Sequence, residues 1–493
     1  MILSQLPALQ VTLPLIAAPL CLLVRSGRAA WGIALFASAA SFAVAVLLLS
    51  RVLDQGSLSY EFGGWAAPWG IEYRVDIVNV FVLFVVTAIT TVVLFFANDS
   101  VRKEVDASRQ SLFYTVWLLC LTGLVGIVMA GDAFNLFVFL EISSLSSYVL
   151  IAFGKDRRAL TSYQYLVMGT IGATFVLIGV GLLYMMTGTL NMADLADRLP
   201  AVMATRTVRA ALAFLVVGIS LKLALFPLHL WLPNAYAFAP SAVTAFLAAT
   251  ATKVAVYVLL RFLFTVFGVT FAFEAMPLGI ILAVLGAGAI LSTSVVAIFQ
   301  DDIKRMLAYS SVAQIGYMVL GLSMATLTGL TASVLHLFNH ALMKGGLFLA
   351  LGCVAYQLGN VRLGALAGAG YRMPWTMGAF LVGGLSLIGV PLTAGFLSKW
   401  YLVQAALERG WWPILVVVIA GSLLAVVYVW RVIEMAYLRR PADSDVSTVR
   451  EAPLSLLLPT WFLIGANLYF GIHTRLSVGI ASKAAAALMG QSP

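Results

Sequence analysis

Charged residues are scarce in this sequence, and their scarcity excludes several classes of protein. Only 10% of the 493 residues are Asp, Glu, Lys or Arg, where about 25% is usual in soluble domains. A soluble globular enzyme and a disordered chain are therefore excluded, because both expose many more charges to water. A nucleic-acid-binding protein is not expected either, since the 29 basic residues behind the net charge of +9 are spread over short loops and form no basic face.

Potential ligands for metals and clusters are equally few. Cys21, Cys120 and Cys353 lie far apart in apolar runs, and the sequence contains no Cys-x-x-Cys pair. Iron–sulfur ligation therefore lacks a set of thiolates. The histidines needed to complete a metal or haem site, His229 and His473, are poorly placed for it. Flavin and nucleotide signatures are also missing, so we expect no cofactor and no bound metal.

Apolar residues, in contrast, make up 62% of the chain. A membrane-spanning helix needs about 20 of them in succession, so the composition fits about 14 spans. Helices are the only spanning structures that fit, because no series of strands with alternating polarity could close a barrel. We predict an all-α polytopic membrane protein with spans near residues 5–25, 29–52, 75–98, 110–130, 132–153, 159–187, 206–226, 241–266, 276–299, 303–322, 326–357, 374–407, 411–438 and 453–473.

Basic residues in the connections predict the orientation of the chain. Odd-numbered connections carry 15 Lys and Arg residues and even-numbered connections carry 7. Because basic connections stay in the cytoplasm, both termini are expected on the extracytoplasmic side of the cell inner (plasma) membrane. The first apolar run lacks a cationic start and a cleavage site, so we interpret it as a retained span.

Two segments are predicted to lie outside the membrane-spanning core. Residues 54–74 are aromatic, Gly-rich and partly alternating, which indicates an extramembrane hairpin. Residues 475–490 indicate a helix lying on the surface.

Two of the predicted spans contain helix-breaking residues. Pro227 and Pro233 lie in "LKLALFPLHLWLPNAY", and Pro391 and Gly395 lie in "LIGVPLTAGFLSKWYL". Proline removes a backbone hydrogen bond from a helix, and the freed carbonyls are tolerated in a membrane only against protein or water. Broken helices in corresponding halves point to paired repeats around an ion path, whereas simple proline kinks are the alternative.

Titratable residues lie inside several predicted spans, where a charge at mid-bilayer costs about 2.5–3.5 kcal/mol. Such groups persist when they face a cavity or a partner. Buried lysines beside a carboxylate, together with histidines that titrate near neutrality, suit proton transfer. The candidates for proton or ion translocation are Glu141, Lys222, Lys253, His336, His340, Lys344 and Lys399, with His229 as a further candidate between the prolines of the first break.

These residues also have interpretations without transport. Glu141 and Lys222 would then form a static buried ion pair. Lys253 and Lys399 would extend along apolar surface to the membrane interface. The two histidines of the predicted eleventh span would be hydrogen-bonded core residues, and His229 would cap a broken helix.

Three stretches of the sequence resemble a known family of membrane proteins. They are "QDDIKRMLAYSSVAQIGYM" (residues 300–318), "LKLALFPLHLWLPNAYAFAPSAVTAFLAATATKV" (221–254) and "HLFNHALMKGGLFLALG" (336–352). The family comprises the antiporter-like subunits shared by complex I, the NADH:quinone oxidoreductase, and by Mrp-type multisubunit cation/proton antiporters. The resemblance covers roughly residues 70–440.

The resemblance implies an architecture. Family members contain two inverted five-helix repeats, with broken helices in spans seven and twelve. In this chain the first repeat would cover residues 110–266 and the second 276–438. Residues 1–109, with spans one to three and the hairpin, would precede them, and residues 439–493, with span fourteen and the surface helix, would follow.

The resemblance also implies roles for the candidate residues. In the family they form a hydrated polar axis along the membrane midplane, which links two half-channels. Matched by position, the family's functional residues are the glutamate of span five (Glu141), the lysines of spans seven and eight (Lys222 and Lys253), the central relay of span eleven (His336, His340 and Lys344) and the terminal titratable residue of span twelve (Lys399).

Within the family, the sequence looks most like the D-type Mrp subunits. Lys399 stands where the complex I M-type subunit has glutamate, which argues against that type. Gln314 stands where many relatives have histidine, so a proton relay is not expected at that position.

The resemblance implies a proton-translocating subunit of a multisubunit Na⁺/H⁺ antiporter that works with other membrane subunits. The alternative is an N-type proton-pumping subunit of a complex I-like redox complex, in which the redox chemistry belongs to partner subunits. A scaffold that has lost conduction is disfavoured by the intact Glu141, Lys222, Lys253 and Lys399. We therefore expect an ion-transporter subunit rather than an enzyme.

Overall fold

The chain folds into a bundle of α-helices with one small sheet. A computed structural model describes residues 2–154, 158–439 and 450–491. In chain order its α-helices are α1 (Leu6–Leu23), α2 (Gly27–Gln55), α3 (Ile77–Glu104), α4 (Gln110–Met129), α5 (Ala133–Ala152), α6 (Arg158–Thr187), α7 (Met192–Arg198), α8 (Arg206–Leu223), α9 (Trp231–Phe238), α10 (Ser241–Ala249), α11 (Ala251–Leu260), α12 (Leu278–Ile298), α13 (Ile303–Ser323), α14 (Leu327–Leu358), α15 (Ala369–Arg372), α16 (Pro374–Ile388), α17 (Ala394–Glu408), α18 (Trp412–Leu438), α19 (Leu454–Ile472) and α20 (Arg475–Leu488).

Twelve helical stretches within the described ranges are long and apolar enough to cross a membrane. They coincide with twelve of the predicted spans, which confirms the all-α polytopic fold. The two predicted spans outside this set, residues 206–226 and 374–407, are those with the predicted breaks. The total of fourteen and the orientation stay predictions, and three of the basic residues that support the orientation (Lys155, Arg157 and Arg440) lie outside the described residues.

The predicted hairpin is confirmed as two antiparallel strands, β1 (Leu58–Glu61) and β2 (Glu72–Val75). Glu72 connects the hairpin to the helix bundle. Its carboxylate accepts a hydrogen bond from Ser59 within the hairpin and another from Asn191, which precedes α7. The predicted C-terminal helix is also present as α20. One of its faces, which includes Ile480 and Ala484, is buried against α14 and α3.

The first predicted break separates α8 from α9. The backbone turns into the left-handed region at Ala224 (φ 58°) directly after α8. Pro227 lies in the non-helical segment that follows, where its ring cannot clash with a helical carbonyl. Pro233 lies in the first turn of α9, where a missing N–H costs nothing because that N–H has no partner within a helix.

The second predicted break separates α16 from α17. Gly389 (φ 93°) ends α16, and Leu392 also has a positive φ of 71°. Backbone dihedrals in this region interrupt the right-handed helix. The carbonyls at the end of α16 are thereby left without partners in their own helix.

A third break, which the sequence did not predict, separates α10 from α11 at Thr250. Its backbone dihedrals are φ −125° and ψ −59°, outside the helical region. The Thr250 side chain donates to the Phe246 carbonyl at 2.7 Å, and this bond competes with the helical ladder. Lys253 follows the break by three residues.

Helix α14 is the centre of the bundle. It packs against α3, α10, α13, α16, α17, α19 and α20, and it is buried without interruption from Gly329 to Val354. A helix buried on every side presents all its polar residues to protein rather than to lipid. The candidate residues His336, His340 and Lys344 of α14 therefore lie inside the protein.

Candidate functional site

Glu141 and Lys222 meet between α5 and α8. The Lys222 Nζ lies 3.7 Å from the Glu141 Oε1 and donates hydrogen bonds to the Ser144 hydroxyl (2.6 Å) and the Tyr148 hydroxyl (3.5 Å). Lys222 is in the last turn of α8, where a cation is favoured by the helix dipole and the unpaired carbonyls. The first break thus creates a position that suits a buried ammonium group.

A small cavity of about 40 Å³ lies beside this pair. It is lined by Ser144, Ser147, Tyr165 and Lys222, and on its far side by α11 residues such as Val254. A cavity of this size is large enough to hold water. It separates Lys222 from the helix that carries Lys253.

Lys253 is fully buried near the start of α11. Its ammonium donates to the Ala248 carbonyl and to the Thr252 hydroxyl (3.4 Å). The Ala248 carbonyl has lost its regular helical partner because of the break at Thr250. This second broken helix therefore supplies the acceptor for a second buried lysine.

His336 and His340 are stacked one turn apart on α14. Their rings are nearly parallel, with centroids 6.0 Å apart. The His336 Nδ1 is 2.7 Å from the Ser398 hydroxyl of α17, whereas both nitrogens of His340 lack a hydrogen-bond partner among the described residues. One histidine is thus fixed to the second broken span and the other is free to accept or donate.

Lys344 continues the same face of α14. Its ammonium donates to the Leu307 carbonyl (2.8 Å) and to the Ser310 hydroxyl (2.5 Å) of α13. The residue is fully buried. The α14 face therefore ends at an ammonium group held by a neighbouring helix.

Lys399 binds the carbonyls that the second break has freed. Its ammonium donates to Leu387 (3.0 Å) and Ile388 (2.9 Å), the last two residues of α16, and to the Ser422 hydroxyl (3.0 Å). It also lies 4.8 Å from the centre of the Tyr317 ring, which faces the cation. Lysine thus stabilises the end of a broken helix here, whereas the Lys222 ammonium binds hydroxyl groups of α5.

The interpretation of Lys253 and Lys399 as residues that extend to the membrane interface is wrong. Their exposed fractions are 0% and 6%, and the ammonium group of each is bound inside the bundle. The hydrogen bonds hold each ammonium where a broken helix has left carbonyls unpaired, so neither side chain is directed along the surface.

Five of the candidates are buried near one another. Lys253 is close enough to the two histidines and the lysine of α14 for their positive charges to repel, and Lys399 is close enough to the first of these histidines. Glu141 and Lys222 form a separate pair on the other side of the 40 Å³ cavity. The connected group consists of Lys253, His336, His340, Lys344 and Lys399.

His229 lies apart from both groups, within the first break. It is 6% exposed, and its ring stands 5.5 Å from Phe226 and 6.3 Å from Tyr309. Its Nδ1 has no hydrogen-bond partner among the described residues. The structure does not bring this histidine to the other candidates.

Sequence reasoning missed the hydroxyl groups that hold the buried bases. Ser310, Ser398 and Ser422 come from helices other than those of the bases that they bind. Serine is common in membrane helices and carries no signal of its own. The four-residue spacing on α14 indicated which face was polar, but not which helices lie against it.

Within the described residues, no three His, Cys, Asp or Glu side chains are grouped so that they could share a metal ion. The three cysteines are buried and unpaired. The polar groups of the site are amines, imidazoles and hydroxyls, several of which are hydrogen-bonded to one another.

Comparison with known protein families identifies the family of this chain. A family model described as "NADH:quinone oxidoreductase/Mrp antiporter, TM" matches residues 130–425. This range contains every candidate residue from Glu141 to Lys399. The chain belongs to this family.

Individual relatives come from both branches of the NADH:quinone oxidoreductase/Mrp antiporter family. The chain is 44% identical to the N-type subunit of the NADH-quinone oxidoreductase of Desulforudis audaxviator, over 92% of its own length and 93% of the relative. It is 31% identical to the D-type subunit of the Na(+)/H(+) antiporter of Alkalihalophilus pseudofirmus, over 82% and 80%. A chain in the structure of the Mrp complex from Dietzia sp. superposes with a TM-score of 0.90 at 25% identity, over 99% and 98%. The chain is thus an antiporter-like membrane subunit, as its motifs predicted.

Proposed function

We propose that this chain translocates protons as one subunit of a multisubunit antiporter that exchanges H⁺ for a monovalent cation, with Na⁺ as the first candidate. The observation that carries the proposal is that all five bases of the connected group, from Lys253 to Lys399, are buried inside the helix bundle. Ionisable residues inside membrane helices mark ion and proton paths, because their burial is otherwise costly.

Three features of this group support proton transfer. Lys253, Lys344 and Lys399 are buried beside carbonyl and hydroxyl oxygens, and none forms an ion pair with a carboxylate among the described residues. Positive charges at neighbouring sites repel, so a proton added to one base favours release from the next. The histidines between the lysines can accept a proton at one ring nitrogen and release it from the other.

Glu141 would control entry into this path. A carboxylate close to an ammonium group stabilises the charged form, and its withdrawal favours release of the proton. At 3.7 Å the Glu141 Oε1 is near Lys222 but makes no hydrogen bond to it. Small movements of α5 against α8 would therefore change whether Lys222 retains its proton.

We further propose that residues 110–266 and 276–438 are two inverted repeats. The Asp132 side chain accepts a hydrogen bond from the Asn135 N–H at the start of α5, and its backbone forms an antiparallel β-bridge with Asn191 after α6. The Asp302 side chain likewise accepts from the Arg305 N–H at the start of α13, and its backbone forms an antiparallel β-bridge with Arg362 after α14. The same local arrangement thus recurs one repeat later. Since five predicted spans separate the two copies, the second would face the opposite side of the membrane. Both termini would be extracytoplasmic, because the odd-numbered connections carry most of the basic residues.

A second candidate function is favoured by the relative named as the N-type subunit of an NADH-quinone oxidoreductase. In this alternative the same path moves protons, but a redox reaction in partner subunits drives it. The two functions differ in the partner subunits that drive proton movement, and not in the role of this chain. Purification of the intact complex and identification of its chains separates them, because flavin and iron–sulfur subunits indicate the redox complex and small multi-span subunits indicate the antiporter.

The proposal is tested with Glu141→Gln and Lys222→Met in the assembled complex. Inside-out vesicles are given a pH gradient, and its dissipation after addition of Na⁺ is followed. Both variants should assemble and lose the Na⁺-dependent exchange. Glu434→Gln is the matched control, since Glu434 pairs with Arg439 near the end of α18, and it should exchange normally. Normal exchange in Glu141→Gln or Lys222→Met would refute the proposed path.

A further inference from the structure

A second polar cavity, of about 500 Å³, lies at one end of the bundle. It is formed where α2 ends, where α3 begins and where α20 ends, and Asp76, Asn79, Tyr257 and Arg261 line it. The even-numbered connections of the chain gather at this end, which is the predicted extracytoplasmic side. The cavity is large enough for many water molecules and lies outside the candidate site.

An ion pair stands in this cavity. The Arg261 Nη2 lies 2.5 Å from each carboxylate oxygen of Asp76. The Arg261 Nε donates to the Tyr257 hydroxyl at 3.0 Å, and that hydroxyl donates to the Val128 carbonyl at 3.1 Å. The arginine side chain is only 10% exposed, so these bonds hold it inside the protein.

The Asp76 carboxylate of the pair is held in place by backbone hydrogen bonds at the start of α3. Asp76 caps α3 by accepting from the N–H groups of Val78 (2.9 Å) and Asn79 (3.1 Å). The Asn79 side chain in turn accepts from the Asp76 N–H at 2.8 Å and donates to the Arg74 carbonyl. With its Oδ1 bound by two backbone N–H groups, Asp76 is held where it meets Arg261.

The ion pair lies in line with a base of the proposed proton path. Lys253, Tyr257 and Arg261 follow one another at four-residue intervals from α11 into the π-helix Arg261–Val266, so they share one side of the helix. Eight residues correspond to about 12 Å along the axis. Tyr257, which also lines the cavity, therefore lies one turn from the buried Lys253, and Arg261 lies one turn farther along the helix.

We propose that the Asp76–Arg261 pair is a proton-impermeable plug that keeps Lys253 from exchanging protons directly with this end of the bundle. An arginine side chain stays protonated at all pH values relevant to a protein, and a carboxylate in a two-oxygen bond to it stays ionised. Neither group can therefore accept and pass on a proton. This inference rests on the proposed function in one respect, namely that Lys253 carries a proton.

The plug has a consequence for coupling. Cavities that reach a proton path from both sides of a membrane would allow protons to cross without cation exchange. A closed pair at this end directs protons from Lys253 along α14 instead. The expected effect of opening it is a passive leak and not a loss of the path.

The test measures passive proton permeability in liposomes that contain the purified complex with its partner subunits. A pH gradient is imposed without a cation gradient, and its decay is followed with an entrapped dye. Arg261→Gln and Asp76→Asn should each accelerate the decay by about tenfold, which corresponds to a barrier lowered by about 1.4 kcal/mol. Asparagine is a good N-cap, so Asp76→Asn keeps the start of α3 intact.

Two further variants distinguish an ion pair that blocks protons from one that only stabilises the fold. Arg198→Gln breaks an ion pair with Asp194 (2.8 Å) outside this cavity, and it should leave the decay unchanged. In the double variant Arg261→Gln/Lys253→Met the leak should disappear, because the base that supplies the protons is gone. Decay at the wild-type rate in both single variants, or an undiminished leak in the double variant, would overturn the proposal. These readouts do not depend on the Na⁺-dependent exchange that tests the proposed function.

Discussion

The Lys222 ammonium is bound to Ser144 and not to Glu141. Its Nζ is 2.6 Å from the serine hydroxyl, whereas the Glu141 Oε1 is 3.7 Å away and lacks a hydrogen-bond partner among the described residues. Closing this gap by about 1 Å would form a charge-assisted hydrogen bond. The ammonium and the carboxylate are thus close to each other but not hydrogen-bonded.

Ser144→Ala should move the Lys222 ammonium from the serine position toward the Glu141 carboxylate. Without the hydroxyl, the ammonium has the carboxylate as its strongest nearby partner, and a hydrogen bond to a charged group contributes about 1.5–3 kcal/mol. We expect the exchange rate to fall by about tenfold while assembly stays normal. Ser146→Ala is the control, because Ser146 is buried on the same helix but forms no bond to the lysine. An unchanged rate in Ser144→Ala would show that the serine does not hold Lys222 in the working protein.

Ser398→Ala should weaken the link between α14 and the second broken span. It removes the 2.7 Å partner of the His336 Nδ1, so the ring is no longer held in one orientation and tautomer. We expect slower exchange with little change in stability. Ser323→Ala, which removes a hydroxyl bonded only within its own helix, is the control. Equal exchange rates in the two variants would contradict a role for Ser398 in orienting the histidine.

Much of this arrangement was predictable because charges and prolines are costly in membrane helices. Pro227 and Pro391 marked two breaks, and the buried lysines stood out against apolar surroundings. The break at Thr250 was not predictable in the same way, since residues 241–260 contain neither proline nor glycine. A threonine that bonds to the carbonyl four residues earlier also occurs in unbroken helices of this chain, as at Thr90 in α3 and Thr293 in α12.

Contacts between distant parts of the chain were also beyond the sequence. Asp76 and Arg261 are 185 residues apart, and each has a plausible local role, the first as a helix cap and the second as a residue at the end of a span. Only the packing of α3 beside α11 brings them together. The same holds for Ser422, whose bond to Lys399 depends on how α18 lies against the second break.

Two substitutions of Lys399 distinguish its structural role from its role in proton transfer. Gln retains N–H donors for the carbonyls of Leu387 and Ile388, whereas Met retains none, and an unpaired buried carbonyl costs about 1–3 kcal/mol. We expect Lys399→Met to lower the thermal stability of the detergent-solubilised complex and Lys399→Gln to do so less. Both should lose exchange, because neither side chain titrates. Substantial exchange in Lys399→Gln would mean that Lys399 only anchors the broken helix.

The close approach of the two halves of the second broken span should depend on Gly395. A Cβ atom at this position would lie 2.0 Å from the Ser386 carbonyl oxygen, and that backbone cannot move aside without displacing the end of α16. Gly395→Ala should therefore separate α16 from α17, disturb the carbonyls that bind Lys399 and lower both the midpoint of thermal unfolding and the exchange rate. Gly465→Ala is the matched control: Gly465 lies within α19 with open space around it, so alanine there should raise stability slightly, by about 0.5–1 kcal/mol. If Gly395→Ala unfolds at the same temperature as the wild type, the contact between the two half-helices is looser than this geometry requires, and the fixed position of Lys399 needs another cause.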